Sequence, residues 1–256
     1  MKKTIHPSVE HSHLPQATDR IFADAIGQVT PFCFDDNVAS VFSDMISRSV
    51  PGYAAILSMI GDISERYAQD NSICYDLGCS LGAATLAMRH SIRADKCHIV
   101  SVDSSPAMIA RCEATVAADS ALIPVEMTCC NIQDTPINNA SIVVLNFTLQ
   151  FIEPADRQAV LQTIYDGLLP GGILLMSEKV HFDNPSHHAL MTDLYHNFKR
   201  VNGYSDLEIA QKRTALENVL RSDSIDTHQK RLQQCGFSSA ELWFQCFTFC
   251  SLIAIK

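Results

Sequence analysis

Ser80, Asp103, Asn131 and Asn146 each stand just past a short apolar run, and together they could read the parts of a nucleoside. An acid such as Asp103 can accept hydrogen bonds from both hydroxyls of a ribose. A side-chain amide such as Asn131, next to the apolar Ile132, can hold the edge and the face of a purine. Ahead of them, Tyr75-Asp76-Leu77-Gly78-Cys79-Ser80-Leu81-Gly82 leads an apolar run into a turn bracketed by glycines, and helix-forming Ala83–Arg89 follows. Strand, glycine turn and helix in that order let backbone lie flush against a ligand. One acid at a strand end is common. Polar residues at four successive strand ends point to a nucleoside site.

The glycine spacing narrows the ligand. A dinucleotide fingerprint needs glycines two and five apart, so that a helix N-terminus meets a pyrophosphate. Here Gly78 is followed by Gly82, and Asp76 precedes them. An acid at that point repels phosphate and suits the amino group of a methionine moiety, so the pattern favours S-adenosylmethionine over NAD. The alternative for Asp76 is a strand-end acid bonding nearby amides.

The elements that must position these residues follow from periodicity. Asp35-Asp36 precede apolar residues at helical spacing from Val38 to Ile46, and Val50-Pro51-Gly52 breaks that helix. Tyr53 opens a second helix, which with the first can fold over the ligand edge. Strands are predicted at 73–77, 98–102, 123–129, 141–146 and 173–176. Helices are predicted over 82–92 and 105–117 and from Pro154 until Pro170-Gly171-Gly172 stops it. Serial βα units imply an α/β fold with a parallel, doubly wound sheet. Two helical patterns near 186–201 and 205–220 read as a cap inserted at about 181–222. A helix over 227–234 and strands at 240–247 and 249–255 close the chain. That ending is similar to the seven-stranded, mostly parallel Rossmann-like sheet of S-adenosylmethionine-dependent methyltransferases, whose last strand is antiparallel. Residues 1–30 read as a flexible tail and 31–256 as a single domain.

The 256 residues can bury a full core, and a net charge of −9 argues against a broad nucleic-acid surface. No apolar run approaches the roughly 20 residues of a membrane span. Ten cysteines without a CxxC pair read as reduced, mostly buried thiols of a cytoplasmic protein. No metal site is expected: His11 and His13 fall in the tail, and His187-His188 reads as a surface pair.

Further stretches carry a closer resemblance: Arg48–Tyr53, Tyr75–Gly82, Val144–Phe151, Phe198-Lys199-Arg200, Asn202–Ser205, Gln211-Lys212-Arg213 and Glu241–Phe247. They resemble the carboxy-S-adenosyl-L-methionine synthase family of bacterial tRNA wobble-uridine modification, from about Phe32 to the C-terminus. The resemblance implies conversion of S-adenosylmethionine and prephenate into carboxy-S-adenosylmethionine and phenylpyruvate, with released carbon dioxide captured by a sulfonium ylide. It implies a homodimer whose product passes to a tRNA carboxymethyltransferase, with no direct binding of nucleic acid. It also assigns roles. Tyr53 closes over the ligand, and Gly78, Cys79 and Ser80 hold the methionine part. Asp103 and Ser104 form the ribose pair, Asn131 and Ile132 the adenine pair, and Asn146 the strand-four contact. Arg213 meets the added carboxylate. Asn131 stands where the family usually has an acid, and Ser104 where an amide is common.

Arg213 suits that role physically, because a guanidinium fork binds carboxylate in two places and keeps its charge. From the residues alone, an exposed helical ion pair with Glu217 is the stronger reading, and the resemblance reverses it. Lys199 and Arg200 could attract the dianionic prephenate or belong to a solvated face. His196 and Tyr204 are weaker candidates. The competing readings are an ordinary methyltransferase acting on a small molecule or tRNA, and a binding module without chemistry.

Overall fold

A computed structural model of the chain describes residues 17–256. The strands are β1 (Ile73–Leu77), β2 (His98–Asp103), β3 (Val125–Cys129), β4 (Ala140–Asn146), β5 (Leu168–Lys179), β6 (Ser239–Cys246) and β7 (Phe249–Ile255). They form one sheet in the order β3-β2-β1-β4-β5-β7-β6, with β7 antiparallel to both neighbours and the first five strands parallel. The strand order reverses between β1 and β4, which is where such sheets bind ligands.

Alternation along each strand builds a core on both faces. Tyr75, Leu77, Val143, Leu145, Leu174 and Met176 pack with Val160, Leu161 and Ile164 of α5 (Arg157–Gly167) and Leu232 of α8 (Ile225–Cys235). The intervening residues Cys74, Ile99, Ile142, Val144, Ile173 and Leu175 pack with Ile56 and Ile60 of α2 (Tyr53–Tyr67) and Ala84 and Met88 of α3 (Ala83–Ser91). A single-residue slip in any central strand would exchange the two sets.

Helix boundaries follow local chemistry. α1 (Asp36–Ser49) starts where the Asp35 carboxylate accepts the Val38 N–H at 2.9 Å. α4 (Pro106–Ala118) has Ser105 as its cap and Pro106 in its first turn, as the sequence predicts. α6 (Pro185–Val201) begins at the Asn184 cap, and α7 (Asp206–Leu216) at a capping box of Ser205 and Glu208.

Three expectations change. Pro170-Gly171-Gly172 does not stop a helix; α5 ends at Gly167 and β5 already runs through these residues. A bulge accommodates them, since Ala140 pairs with Leu168 while Ile142 pairs with Ile173. At its other end β5 reaches Lys179, three residues beyond the predicted Met176. Finally, residues 1–16, with His11 and His13, lie outside the described residues, and most of residues 17–30 is exposed, but Asp19 and Phe22 are buried against the domain. Asp19 is buried, accepting a hydrogen bond from the Tyr204 hydroxyl at 2.5 Å, and the Phe22 carbonyl accepts one from Gln211. Polar contacts to Tyr204 and to Gln211 of α7 thus anchor Asp19 and Phe22, inside the stretch expected as tail.

Candidate active site

A cavity of about 440 Å³ lies over the carboxyl ends of the central strands. Tyr53, Gly78, Cys79, Ser80, Asp103, Ser104, Asn131, Ile132 and Asn146 all line it, so nine residues singled out from the sequence converge on one space. They come from α2 and the ends of four strands, and the doubly wound topology is what brings those ends together.

The turn after β1 is shaped by backbone. Gly78 has φ +84°, and a Cβ there would strike the Thr148 side chain in the turn after β4. Ser80 is also left-handed, at φ +52°, and its N–H donates to Asp103 Oδ2 at 2.9 Å. Asp103 Oδ1 accepts the Ser105 N–H at 2.9 Å. One carboxylate therefore ties the glycine turn to the end of β2, and each of its oxygens keeps a lone pair for a ribose hydroxyl. Burial raises the pKa of Asp103, and the backbone N–H groups of Ser105, Ser80 and Ser104 oppose that shift. Asn131 donates its amide N–H to Asp134 at 3.1 Å, which leaves its carbonyl oxygen for a donor such as an adenine amino group.

Asp76 lies at the floor of the cavity, almost wholly buried. Its Oδ2 accepts the Thr85 hydroxyl at 2.6 Å, while its Oδ1 has no hydrogen-bond partner among the described residues. Burial pushes its pKa up to about 6, the Thr85 hydrogen bonds opposing. Asn146 Oδ1 is likewise buried without a partner. Two orphaned acceptors in one cavity fit a ligand that carries donors, and a carboxylate next to a cationic amino group is the natural pairing. This acceptor set thus fits S-adenosylmethionine as substrate.

The β5 side of the cavity has a different character. Lys179, Lys212, Tyr195 and Phe249 line it. Lys212 Nζ donates to Ser49 Oγ at 3.1 Å and lies 3.8 Å from Asp19; burial lowers its pKa to about 8. Leu216, Val219 and Leu220, at and beyond the end of α7, complete the wall.

Sequence reasoning passed over Lys179 because it ended β5 at Met176. The strand-end rule that found Asp103 and Asn131 reaches Lys179 once the full strand is known. Arg213 is exposed and does not line the cavity, and it forms no ion pair among the described residues, with Glu217 or otherwise. Its charge nevertheless helps to lower the pKa of Lys179, after burial. Arg200 is held by Asp206 at 2.7 Å on the surface. Lys199 is buried over the rings of Tyr195 and Tyr204 and, like His196 and Tyr204, lies outside the cavity lining.

The sheet order, the antiparallel β7 and the nucleoside-suited cavity define a protein of the S-adenosylmethionine-dependent methyltransferase fold. Solved structures agree: an O-methyltransferase family protein from Burkholderia thailandensis has a TM-score of 0.64 at 15% identity, covering 90% of this chain and 65% of that one. An S-adenosylmethionine-dependent methyltransferase from Methanococcus maripaludis has a TM-score of 0.58 at 20% identity, covering 91% and 97%. Residues 74–172 match the family described as "Methyltransferase domain". Sequence relatives are more particular. Carboxy-S-adenosyl-L-methionine synthase of Trichlorobacter lovleyi is 57% identical, over 95% of this chain and 100% of its own. The protein of that name from Yersinia enterocolitica is 56% identical over 93% and 90%. The chain belongs to the carboxy-S-adenosyl-L-methionine synthase family.

Proposed function

We propose that the protein makes carboxy-S-adenosyl-L-methionine from S-adenosylmethionine, with prephenate as the second substrate and phenylpyruvate as the other product. The balance is simple. Prephenate loses carbon dioxide and hydroxide as its ring becomes aromatic, the sulfonium methyl loses a proton, and the resulting carbon bonds to the carbon dioxide. Proton and hydroxide leave as water.

The observation that carries this reading is a nucleoside site whose β5 side is cationic. Lys179 and Lys212 line the same cavity as Asp76, Asp103 and Asn131. Ammonium groups near a sulfonium disfavour its binding, since like charges repel, and a plain methyltransferase has no use for them. They suit a reaction that consumes a dianion and leaves a new carboxylate. Arg213, next in sequence to Lys212, is the residue proposed to meet that carboxylate. In this reading Asp76 holds the methionine amino group, Asp103 and Ser104 the ribose, Asn131 and Ile132 the adenine, and Gly78, Cys79 and Ser80 give the backbone wall of the methionine part. Tyr53 and Asn146 close the remaining sides. Family membership supports a cytoplasmic homodimer whose product goes to a tRNA carboxymethyltransferase. No helix among the described residues is long and apolar enough to cross a membrane.

The test is mass spectrometry of the nucleoside after incubation with S-adenosylmethionine, with and without prephenate. A product heavier by one carbon dioxide, formed only with prephenate, is expected. S-Adenosylhomocysteine formed together with a methylated acceptor would establish ordinary methyl transfer instead.

A further inference from the structure

The cations around the cavity differ in how their charge is met. Lys212 has Ser49 and Asp19 within reach. Lys199 is buried against two tyrosine rings and does not line the cavity. Lys179 does line it, and its ammonium has no hydrogen bond or carboxylate partner among the described residues; its neighbour is the Tyr195 ring, 5.0 Å from Nζ to centroid. Glu178 does not supply the missing charge. Adjacent strand residues face opposite ways, and both Glu178 oxygens are taken by the N–H groups of Leu149 and Gln150. The main chain of Lys179 is pinned, its N–H donating to Gln150 Oε1 at 2.8 Å, so the side chain leaves the sheet from a fixed point.

We propose that Lys179 binds a carboxylate of the second substrate and thereby places that substrate beside the sulfonium. β5 lies two strands from β1, and Lys179 stands four residues beyond Leu175, which is level with Asp76 through Val144, so at ordinary strand spacing and rise their Cα atoms are about 16 Å apart. A ligand anchored at Asp76 through its amino group can lie between them. A partly desolvated ammonium with no counter-ion is unfavourable until an anion arrives, and a ligand that brings the anion gains that interaction on binding. The face of the Tyr195 ring holds the ammonium in place in the meantime.

This rests on the proposed reaction, and the experiment separates the two. Lys179→Met and Lys179→Arg are compared with wild type in steady-state kinetics against prephenate and in calorimetric titration with S-adenosylmethionine. Lys179→Met is expected to raise the KM for prephenate about tenfold or more, with S-adenosylmethionine affinity within about twofold of wild type; Lys179→Arg should recover part of the loss. An unchanged KM overturns the proposal. So does a matching loss of S-adenosylmethionine affinity, which would mean that Lys179 meets the methionine carboxylate. If wild type makes no carboxylated product, the proposed reaction fails, and Lys179 is judged by titrating prephenate and phenylpyruvate into protein loaded with S-adenosylhomocysteine. A tenfold weaker affinity in Lys179→Met then sustains the anion site, and equal affinity or no binding to wild type overturns it.

Discussion

Asp76 shows how much a single side chain can settle. With one oxygen on Thr85 and the other without a partner, it is a buried acid waiting for a donor, and burial holds its pKa near 6. A cationic amino group prefers the ionised form. Above pH 6 that form already dominates; below it, binding must first expel a proton. Affinity for S-adenosylmethionine should therefore fall as pH drops through about 6, by up to about tenfold per unit. Calorimetry across that range checks this, and Asp76→Asn should bind weakly with a flattened profile. An affinity independent of pH would refute the pairing. Arg213 makes a different claim. Arg213→Ala should abolish carboxylated product while leaving S-adenosylmethionine affinity within a few-fold of wild type; full retention of product would remove Arg213 from the reaction. The exposed position of Arg213 agrees with what its residues alone suggested, but the ion pair with Glu217 does not form, because a repeat of 3.6 residues says which residues share a face and not which of them meet.

Among elements, the turn over Leu149–Phe151 is the one the site depends on and the pattern of the chain conceals. It is fixed from two sides. Glu178 of β5 accepts the N–H groups of Leu149 and Gln150, and the fully buried Arg157 of α5 donates to the carbonyls of Gln150, Ile152 and Arg221 and to Asp223. Gln150 and Phe151 in turn line the cavity. Arg157→Met would strip partners from three carbonyls and one carboxylate. It should cost about 3–5 kcal/mol in urea denaturation and weaken ligand binding as well; a loss below about 1 kcal/mol would show the network to be incidental. β5 was underestimated at both ends, at its C-terminal end because Ser177–Lys179 pair with Phe249–Ser251 of β7 and at its N-terminal end for a different reason. Pro-Gly-Gly is a reliable breaker of helices, yet a bulge lets a strand carry it, and the pairing that creates the bulge is with a strand some 30 residues away.

At the scale of the whole molecule, the sheet separates reactive groups from solvent. All ten cysteines are free; Cys33 and Cys129 are exposed, Cys130 and Cys246 intermediate, and the other six buried. A thiol reagent should therefore modify two cysteines rapidly in the native protein, two more slowly, and the remaining six only on unfolding. Rapid reaction of four or more buried thiols would mean that the native sheet opens readily. The same layering places the apolar core on both faces and leaves the ligand cavity at the carboxyl edge, so the cavity is a consequence of topology.

Most of the parallel sheet and nine lining residues of the cavity were legible in the chain, because strands buried on both faces read as apolar runs and the residue after each run must fall on one edge. The spacing of Gly78, Gly82 and Asp76 likewise determined the kind of nucleoside, since it reflects local backbone and charge alone. Contacts between distant segments were not legible. The burial of Asp19 beneath Tyr204, the pinned turn at Gln150 and the unpaired ammonium of Lys179 each join residues from separate stretches of the chain. Only the folded arrangement decides which charges meet a partner and which are left for a substrate.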